Sequence, residues 1–283
     1  MPELPEVEVL VRFLQPCLVG SWIRRCQVLR ARAVRPAAPE EVARRLRGKR
    51  VARVGRRAKY IVMDLTTEDS KPAGRVLLHL GMSGRVWVEA AGGPLPLHAA
   101  MVWELDGDRR LVFSDPRGFG RCGLDESVLT RLGPEPLDRT FNGRQLRLRL
   151  GESRQAVKVR LLDQAVVAGL GNIYVSESLW VARISPFRSA RDLTERECGR
   201  LASAIRRVLQ RAIRLGSTVP LDWARGRGDR LFYFGRAEGS AVAVQERFAV
   251  YDREGQPCRR CGGAIRRAVQ GGRSSYYCPH CQV

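Results

Sequence analysis

The chain has 283 residues, enough for a sizeable core and for two domains more readily than one. Its 50 Lys and Arg residues against 29 acidic residues give a formal net charge of +21, which favours a polyanionic partner, most simply nucleic acid, over a membrane surface. The sequence has no run of about 18 apolar residues and begins with acidic residues, so we expect neither a membrane span nor an export signal, and a cytoplasmic protein.

The predicted elements change character along the chain. Apolar residues at helical spacing predict an amphipathic helix over 2–15, and short alternating runs from about 20 to 115 predict a β-rich domain. The Pro/Gly-rich stretch LGPEPLD at 132–138 then marks a boundary. Helices are predicted from near Arg154, over NIYVSESLWVAR, and over a long segment in which Thr194 and Glu197 form a capping box. From Gly216 to about 240 the sequence is irregular, and we expect a mobile loop there.

A zinc site is predicted near the C-terminus. The spacing C-x2-C-x16-C-x2-C is typical of a zinc ribbon with four thiolate ligands, here Cys258, Cys261, Cys278 and Cys281. Because a closed four-cysteine site has no open position for water, we expect one structural Zn²⁺. The intervening residues suit a hairpin with Arg273 at its tip, where a guanidinium could bind a phosphate. Two disulfides are the alternative, which the lack of an export signal disfavours.

A glycine-bearing turn lies between two of the predicted helices. Gly169 and Gly171 precede Asn172, which is placed to cap the second helix. A helix N-terminus offers backbone N–H groups and a favourable dipole, so this turn is a candidate phosphate-binding site, with Lys158 as a nearby charge. An ordinary helix connection explains the same pattern.

Several segments in chain order carry a family resemblance: PELPEVE, RRAKY at 56–60, HLGMSG at 79–84, DPRGFG at 115–120, LGPEPL, AGLGNIYVSESL and CRRCG…GGRSSYYCPHCQ. Together they resemble the formamidopyrimidine-DNA glycosylase family, which is related to endonuclease VIII. The resemblance implies an α+β fold. Its parts are an N-terminal catalytic β-sandwich domain with an N-terminal helix (1–134), a DNA-binding helical domain with a helix-two-turns-helix motif and a lesion-covering loop (135–240), and a zinc-finger hairpin (241–283).

The N-terminal residues have a chemical interpretation. Removal of Met1 would leave Pro2 with a secondary amine that can attack the anomeric carbon of a damaged nucleoside. Glu3 is placed to exchange protons with this amine or with the sugar ring oxygen, and Glu6, one helical turn further, to orient groups or relay protons. The alternative is structural, because proline and glutamate at a helix start stabilise any helix.

The resemblance implies a role for each matching residue. Pro2 corresponds to the Schiff-base nucleophile, Glu3 to the general acid, and Lys59 to a proton donor for β-elimination that also contacts phosphate. Arg273 corresponds to a phosphate-binding arginine linked to δ-elimination. The remaining phosphate ligands are Lys158 and Asn172, with His98 and Arg154 as lesser ones.

Three further residues resemble those that fill the gap left by an extruded base, namely Met82, Arg117 and Phe119. Base flipping costs a few kcal/mol of stacking and pairing, which an inserted apolar side chain and an arginine can partly offset. A core methionine, a surface arginine and a core phenylalanine are the structural alternatives.

The function implied is a bifunctional DNA glycosylase and abasic-site lyase, acting as a monomer. It would excise oxidised purines, chiefly 8-oxoguanine and formamidopyrimidines, from damaged double-stranded DNA and nick the strand by β,δ-elimination. The segment 219–245 departs from the family pattern, which leaves oxidised pyrimidines, as in an endonuclease VIII-like glycosylase, as an alternative. A nonenzymatic damaged-DNA-binding protein is the other alternative.

Overall fold

The computed structural model describes residues 1–216 and 248–283. These residues divide into two compact units. The sheet unit holds Met1–Pro2 and Glu6–Thr130, and the helical unit holds Glu3–Pro5 and the described residues from Arg131 onwards. The predicted lesion-covering loop and the whole of segment 219–245 lie outside the described residues, as does the predicted border at 240/241.

The sheet unit is built on one antiparallel sheet. Its eight strands follow the order β5-β7-β6-β1-β2-β3-β4-β8. Their ranges are β1 Trp22–Val28, β2 Lys49–Arg57, β3 Tyr60–Thr66, β4 Pro72–His79, β5 Arg85–Ala90, β6 Ala99–Leu105, β7 Arg109–Ser114 and β8 Arg121–Gly123. The β-rich N-terminal region predicted from the alternating pattern is therefore confirmed.

Helix α1, Leu4–Leu18, confirms the predicted amphipathic helix. Its residues Val7, Leu10, Leu14 and Leu18 belong to the core of the sheet unit, which also contains the fully buried Trp103 and Phe113 of the sheet. The short helices α2, Pro39–Leu46, and α3, Ser127–Thr130, were not predicted. In α2 only Val42 and Leu46 are buried, which is too short an apolar pattern to be distinguished from a strand.

The helical unit contains α4 Gly143–Leu150, α5 Val157–Leu161, α6 Asn172–Ala182 and α7 Glu195–Arg214. Helix α4 was missed because its exposed positions are mostly arginine and only two leucines are buried. Helix α5 is shorter than the predicted helix from Arg154, since the Asp163 side chain accepts the N–H of Ala165 and forms a turn. The capping box of α7 at Thr194 and Glu197 is confirmed.

The predicted C-terminal hairpin is present. Strands β9, Arg266–Gln270, and β10, Arg273–Tyr277, pair so that Arg273 lies opposite Gln270. The connecting Gly271 and Gly272 have φ of +54° and +71°. A two-residue hairpin turn of this kind favours glycine, because side chains are strained at positive φ. Arg273 is thereby held exposed at the turn, as predicted.

No helix in residues 1–216 or 248–283 combines the length and the apolar composition that a membrane crossing needs.

Candidate active site

Lys59 lies in the tight turn between β2 and β3. Ala58 has φ of +52°, in the left-handed region, and is buried together with Lys59, which is 5% exposed. The Arg56 guanidinium donates to the Ala58 carbonyl at 3.0 Å and to Glu8 Oε2 at 2.9 Å. An alanine in this conformation costs about 1 kcal/mol or more. These contacts offset that cost and fix the lysine in place.

His79, at the end of β4, lies near Lys59 but was not predicted as a site residue. Burial and the positive charges of Lys59, Arg121 and the N-terminal amine of Met1 lower the pKa of His79 to about 4. Its Nδ1 accepts the backbone N–H of Gly81 at 3.1 Å, so the neutral ring carries its proton on Nε2. The sheet unit thus gathers a lysine, the N-terminal amine and a neutral imidazole. Pro2 is half-buried and Glu6 is buried in the same unit.

The two loops that carry the predicted gap-filling residues are bonded to each other. Ser83 Oγ donates to Asp115 Oδ1 at 2.7 Å and accepts the backbone N–H of Arg117 at 3.2 Å. The other Asp115 oxygen accepts the Gly120 N–H at 2.6 Å. A buried aspartate therefore fixes the conformation of the second loop and joins it to the first.

These loops present the three side chains differently. Met82 is half-buried, whereas Phe119 is 46% exposed and Arg117 is exposed. The Arg117 guanidinium lies 5.1 Å from the centre of the Phe119 ring, within range of a cation–π contact. Phe119 is therefore not a core residue, which removes the structural alternative for this position.

His98 lies in the sheet unit beside Arg30. The Arg30 guanidinium is 3.1 Å from His98 Nδ1 and donates to the Asp115 carbonyl at 3.0 Å. The backbone carbonyl of His98 accepts the Asp115 N–H at 2.9 Å. His98 is thus connected to the loop that carries Arg117 and Phe119.

In the helical unit, Glu3 occupies the N-terminus of α6. Its Oε2 accepts the N–H groups of Gly171 at 2.8 Å and Tyr174 at 3.3 Å, and its Oε1 accepts that of Ile173 at 2.9 Å. The three donors and the helix dipole stabilise a negative carboxylate. A Cβ at Gly171 would overlap this carboxylate, which explains the glycine.

This arrangement corrects two predictions. The N-cap of α6 is Gly171, and Asn172 is the first helical residue with no capping bond of its own. The backbone N–H groups expected to bind phosphate are instead bound by Glu3. The sequence could not reveal this, because Glu3 is far away along the chain. In the sequence, the contact is visible only as an acidic residue near the N-terminus and, much later in the chain, glycines before a predicted helix.

Lys158 and Asn172 converge on one backbone oxygen of the zinc hairpin. Lys158 Nζ and Asn172 Nδ2 donate to the Ser274 carbonyl at 2.8 and 2.9 Å. Lys158 is fully buried, and its pKa is lowered to about 8 by burial and by the charge of Arg273. Because the positive charges of Lys158 and Arg273 repel each other, an anion placed beside them would be bound favourably. Arg154, by contrast, is an exposed residue that precedes α5.

Tyr251 is a second residue that the sequence interpretation missed. Its pKa is raised to about 12 by burial and by the charge of Glu3, so the phenol keeps its proton at neutral pH. Its ring contacts Tyr276 of β10 at a centroid distance of 5.2 Å. The VY dipeptide before the first cysteine pair was the available sequence signal.

The four predicted zinc ligands come together in the helical unit. The sulfur atoms of Cys258, Cys261, Cys278 and Cys281 lie within 4.8 Å of one another. The Sγ–Sγ distances of 3.5 Å for Cys261–Cys278 and 4.0 Å for Cys258–Cys281 exceed the roughly 2.05 Å of a disulfide. The disulfide alternative is therefore wrong.

The donor set fits zinc. Burial works against ionisation of Cys258, but the backbone N–H groups of Arg260 and Cys261 and the indole of Trp180 outweigh it, and its pKa is lowered to about 6. Four sulfur ligands within one small volume suit a tetrahedral Zn²⁺. Such an ion would cross-link the two C-x2-C turns at the base of the β9–β10 hairpin.

Three segments of the chain match family models. Residues 1–122 match the formamidopyrimidine-DNA glycosylase N-terminal domain, 132–221 match the formamidopyrimidine-DNA glycosylase H2TH domain, and 255–283 match a zinc finger found in FPG and IleRS. The chain belongs to the formamidopyrimidine-DNA glycosylase family. A relative from Cereibacter sphaeroides (strain ATCC 17025 / ATH 2.4.3), called formamidopyrimidine-DNA glycosylase, is 42% identical over 299 residues and both chains are covered completely.

Solved structures of the family include complexes with damaged DNA. A structure of MutM with DNA containing carbocyclic 8-oxo-G has a TM-score of 0.83 and 31% identity, with 99% of each chain covered. A complex of Lactococcus lactis Fpg (MutM) with DNA containing an oxidized pyrimidine has a TM-score of 0.84 and 32% identity, with 99% of each chain covered. These relatives confirm the predicted fold of the formamidopyrimidine-DNA glycosylase family.

Proposed function

We propose that this chain is a bifunctional DNA glycosylase and abasic-site lyase that removes 8-oxoguanine and formamidopyrimidines from double-stranded DNA. The match of three consecutive family models along the chain carries the proposal. The net charge of +21 supports it, since a basic surface is needed to bind the DNA backbone. We further propose that the protein acts as a monomer in the cytoplasm and has three domains, 1–134, 135–240 and 241–283.

Pro2 is the nucleophile in this mechanism. After removal of Met1, its secondary amine attacks C1′ of the damaged nucleotide, and the bond between C1′ and the base breaks. Opening of the sugar ring then gives an iminium ion between Pro2 and C1′. Loss of the 3′ phosphate by β-elimination and of the 5′ phosphate by δ-elimination cuts the strand, and water releases the sugar fragment from the amine.

Glu3 exchanges protons at this centre. Three N–H groups hold Glu3 in its ionised form, and this carboxylate accepts the proton that the attacking amine loses. It then acts as the general acid that protonates the sugar ring oxygen as the ring opens. Glu6, buried in the first turns of α1, relays or orients protons near the same amine.

The cationic residues bind phosphates and assist elimination. Lys59 is held in its turn, where it contacts a phosphate and donates a proton during β-elimination. Lys158 and Arg273 bind a second phosphate together, which relieves the repulsion between their charges. Asn172 supports this site through the Ser274 carbonyl. The structural Zn²⁺ supplies the cross-link that holds the hairpin of Arg273.

The remaining site residues contact the space of the extruded base and further DNA phosphates. Met82, Arg117 and Phe119 enter the space of the extruded base, with the exposed phenylalanine ring stacked by the guanidinium. His98 and the exposed Arg154 add phosphate contacts.

Oxidised pyrimidines are the second candidate substrate. The complex of the Lactococcus lactis relative with DNA containing an oxidized pyrimidine favours it. The segment 219–245, which departs from the family pattern, is where the two preferences would be distinguished.

Trapping with borohydride tests the covalent mechanism. We expect incubation with abasic-site duplex and borohydride to give a protein–DNA adduct whose peptide map places the sugar on Pro2. The matched control is the same chain with a short N-terminal extension, which blocks the amine and should give no adduct. An adduct on a lysine instead, or equal trapping of the extended chain, would contradict the assignment.

Lesion choice is measured separately, on duplexes with 8-oxoguanine opposite C or A and on a duplex with an oxidised pyrimidine. Faster nicking of 8-oxoguanine supports the purine proposal, and faster nicking of the pyrimidine supports the second candidate. Tight binding of all three without nicking or trapping would identify a nonenzymatic DNA-binding protein.

A further inference from the structure

Helix α6 holds the C-terminal segment through side chains on three successive turns. Asn172 donates to the backbone of β10, and Glu177 accepts the backbone N–H groups of residues 249–251 at 2.8 to 2.9 Å. The third contact is different in kind. The Trp180 indole N–H donates to Cys258 Sγ at 3.4 Å, so its acceptor is one of the four zinc ligands.

The indole of Trp180 has two further contacts. It packs against the small apolar cluster that contains Cys258, Ile265 and Cys278. The Arg260 guanidinium lies 4.3 Å from the ring centre and donates to the Trp180 carbonyl at 3.2 Å. A cation over the ring face is attracted by the π-electrons and also polarises the indole N–H as a donor.

We propose that Trp180 is a positioning residue of the zinc site, whose indole N–H stabilises the Cys258 thiolate and retards loss of the metal. A zinc-bound thiolate keeps much of its negative charge, and a hydrogen-bond donor lowers its tendency to take up a proton or leave the ion. Trp180 lies outside residues 255–283, which match the zinc-finger model. The helical region therefore contributes to metal affinity from beyond the ribbon motif.

Trp180→Phe removes the N–H and keeps an aromatic ring in the same space. We expect zinc transfer from the full-length protein to a chromogenic chelator to become about 10-fold faster, within the 10- to 100-fold range typical of lost partners to metal ligands. Trp87→Phe is the matched control, because its indole N–H donates at 2.8 Å to Glu89 in the sheet unit, which contains none of the four cysteine ligands. This control should release zinc at the wild-type rate.

A spectroscopic measurement on the wild type does not depend on how the variant folds. In protein substituted with ¹¹³Cd and labelled with ¹⁵N, we expect the Trp180 indole N–H resonance to show scalar coupling to the metal through Cys258 Sγ. Absence of this coupling would overturn the proposal, as would zinc release from the Trp180→Phe variant within twofold of the Trp87→Phe control.

Discussion

Gly81 sets the distance between the two loops that carry Met82 and Phe119. It has φ of +63°, and a Cβ built on it would lie 2.6 Å from both the backbone nitrogen of Gly120 and the carbonyl carbon of Phe119. Carbon atoms prefer separations of about 3.5 to 4.0 Å. Because the opposing atoms are backbone, Gly81→Ala can be accommodated only if one loop moves away from the other by about 1 Å.

Gly48→Ala is the control that separates backbone strain from this collision. Gly48 has φ of +72°, but a Cβ there would meet nothing within 4 Å. We expect the control to lose about 1 to 2 kcal/mol of unfolding free energy from strain alone. Gly81→Ala should lose a further 1 to 3 kcal/mol, roughly the cost of overpacking a tight site.

The two variants should differ even more in activity. A shift of about 1 Å at a substrate-positioning group can lower a rate about 100-fold, so we expect single-turnover excision of 8-oxoguanine by Gly81→Ala to fall by about 10- to 100-fold. Gly48→Ala should excise at the wild-type rate. The reasoning would be refuted if urea denaturation and excision gave the same values for both variants.

Three other measurements test separate parts of the structure. Glu3→Gln places an amide N–H₂ group against the N-terminus of α6. Hydrogen exchange of the amides in the first turn of α6 should then accelerate about 30- to 100-fold, equivalent to about 2 to 3 kcal/mol. Unchanged exchange would show that the carboxylate does not cap the helix. The pKa of His79 is about 4, below the usual 6.5 of a histidine. The neutral ring therefore stabilises the fold above pH 6.5, and this stability is lost as the pH falls towards 4. The midpoint of the His79 titration measured by NMR should lie near pH 4, and a midpoint above 6 would contradict the burial. The Arg188 guanidinium holds the pKa of Glu197 at about 2, so the ionised carboxylate contributes stability above pH 4.5 that is lost as the pH falls towards 2. Glu197→Gln should lower the free energy of unfolding by about 1 kcal/mol at neutral pH and make it depend less on pH between 4.5 and 2. The same pH dependence in urea denaturation of both proteins would disprove the coupling.

The sequence by itself determined the features that depend on short spacings. The period of the apolar residues predicted α1, and the alternation between 20 and 115 predicted the β-rich region in which β1 to β7 lie. The cysteine spacing predicted the zinc ligands, and two adjacent glycines predicted the turn before Arg273. Each of these signals is complete within a few residues, because local backbone preference and ligand geometry act over that range.

Only the tertiary structure decided which distant groups meet. Glu3 replaces the expected cap of α6 across 168 residues of sequence, and Ser83 joins its loop to that of Asp115 across 32. The donor on Trp180 reaches a zinc ligand 78 residues away. No local sequence pattern predicts which distant residue will bond to a carboxylate, a hydroxyl or an indole N–H. Folding brings each of them to buried polar partners from a distant segment, and these hydrogen bonds position the site residues.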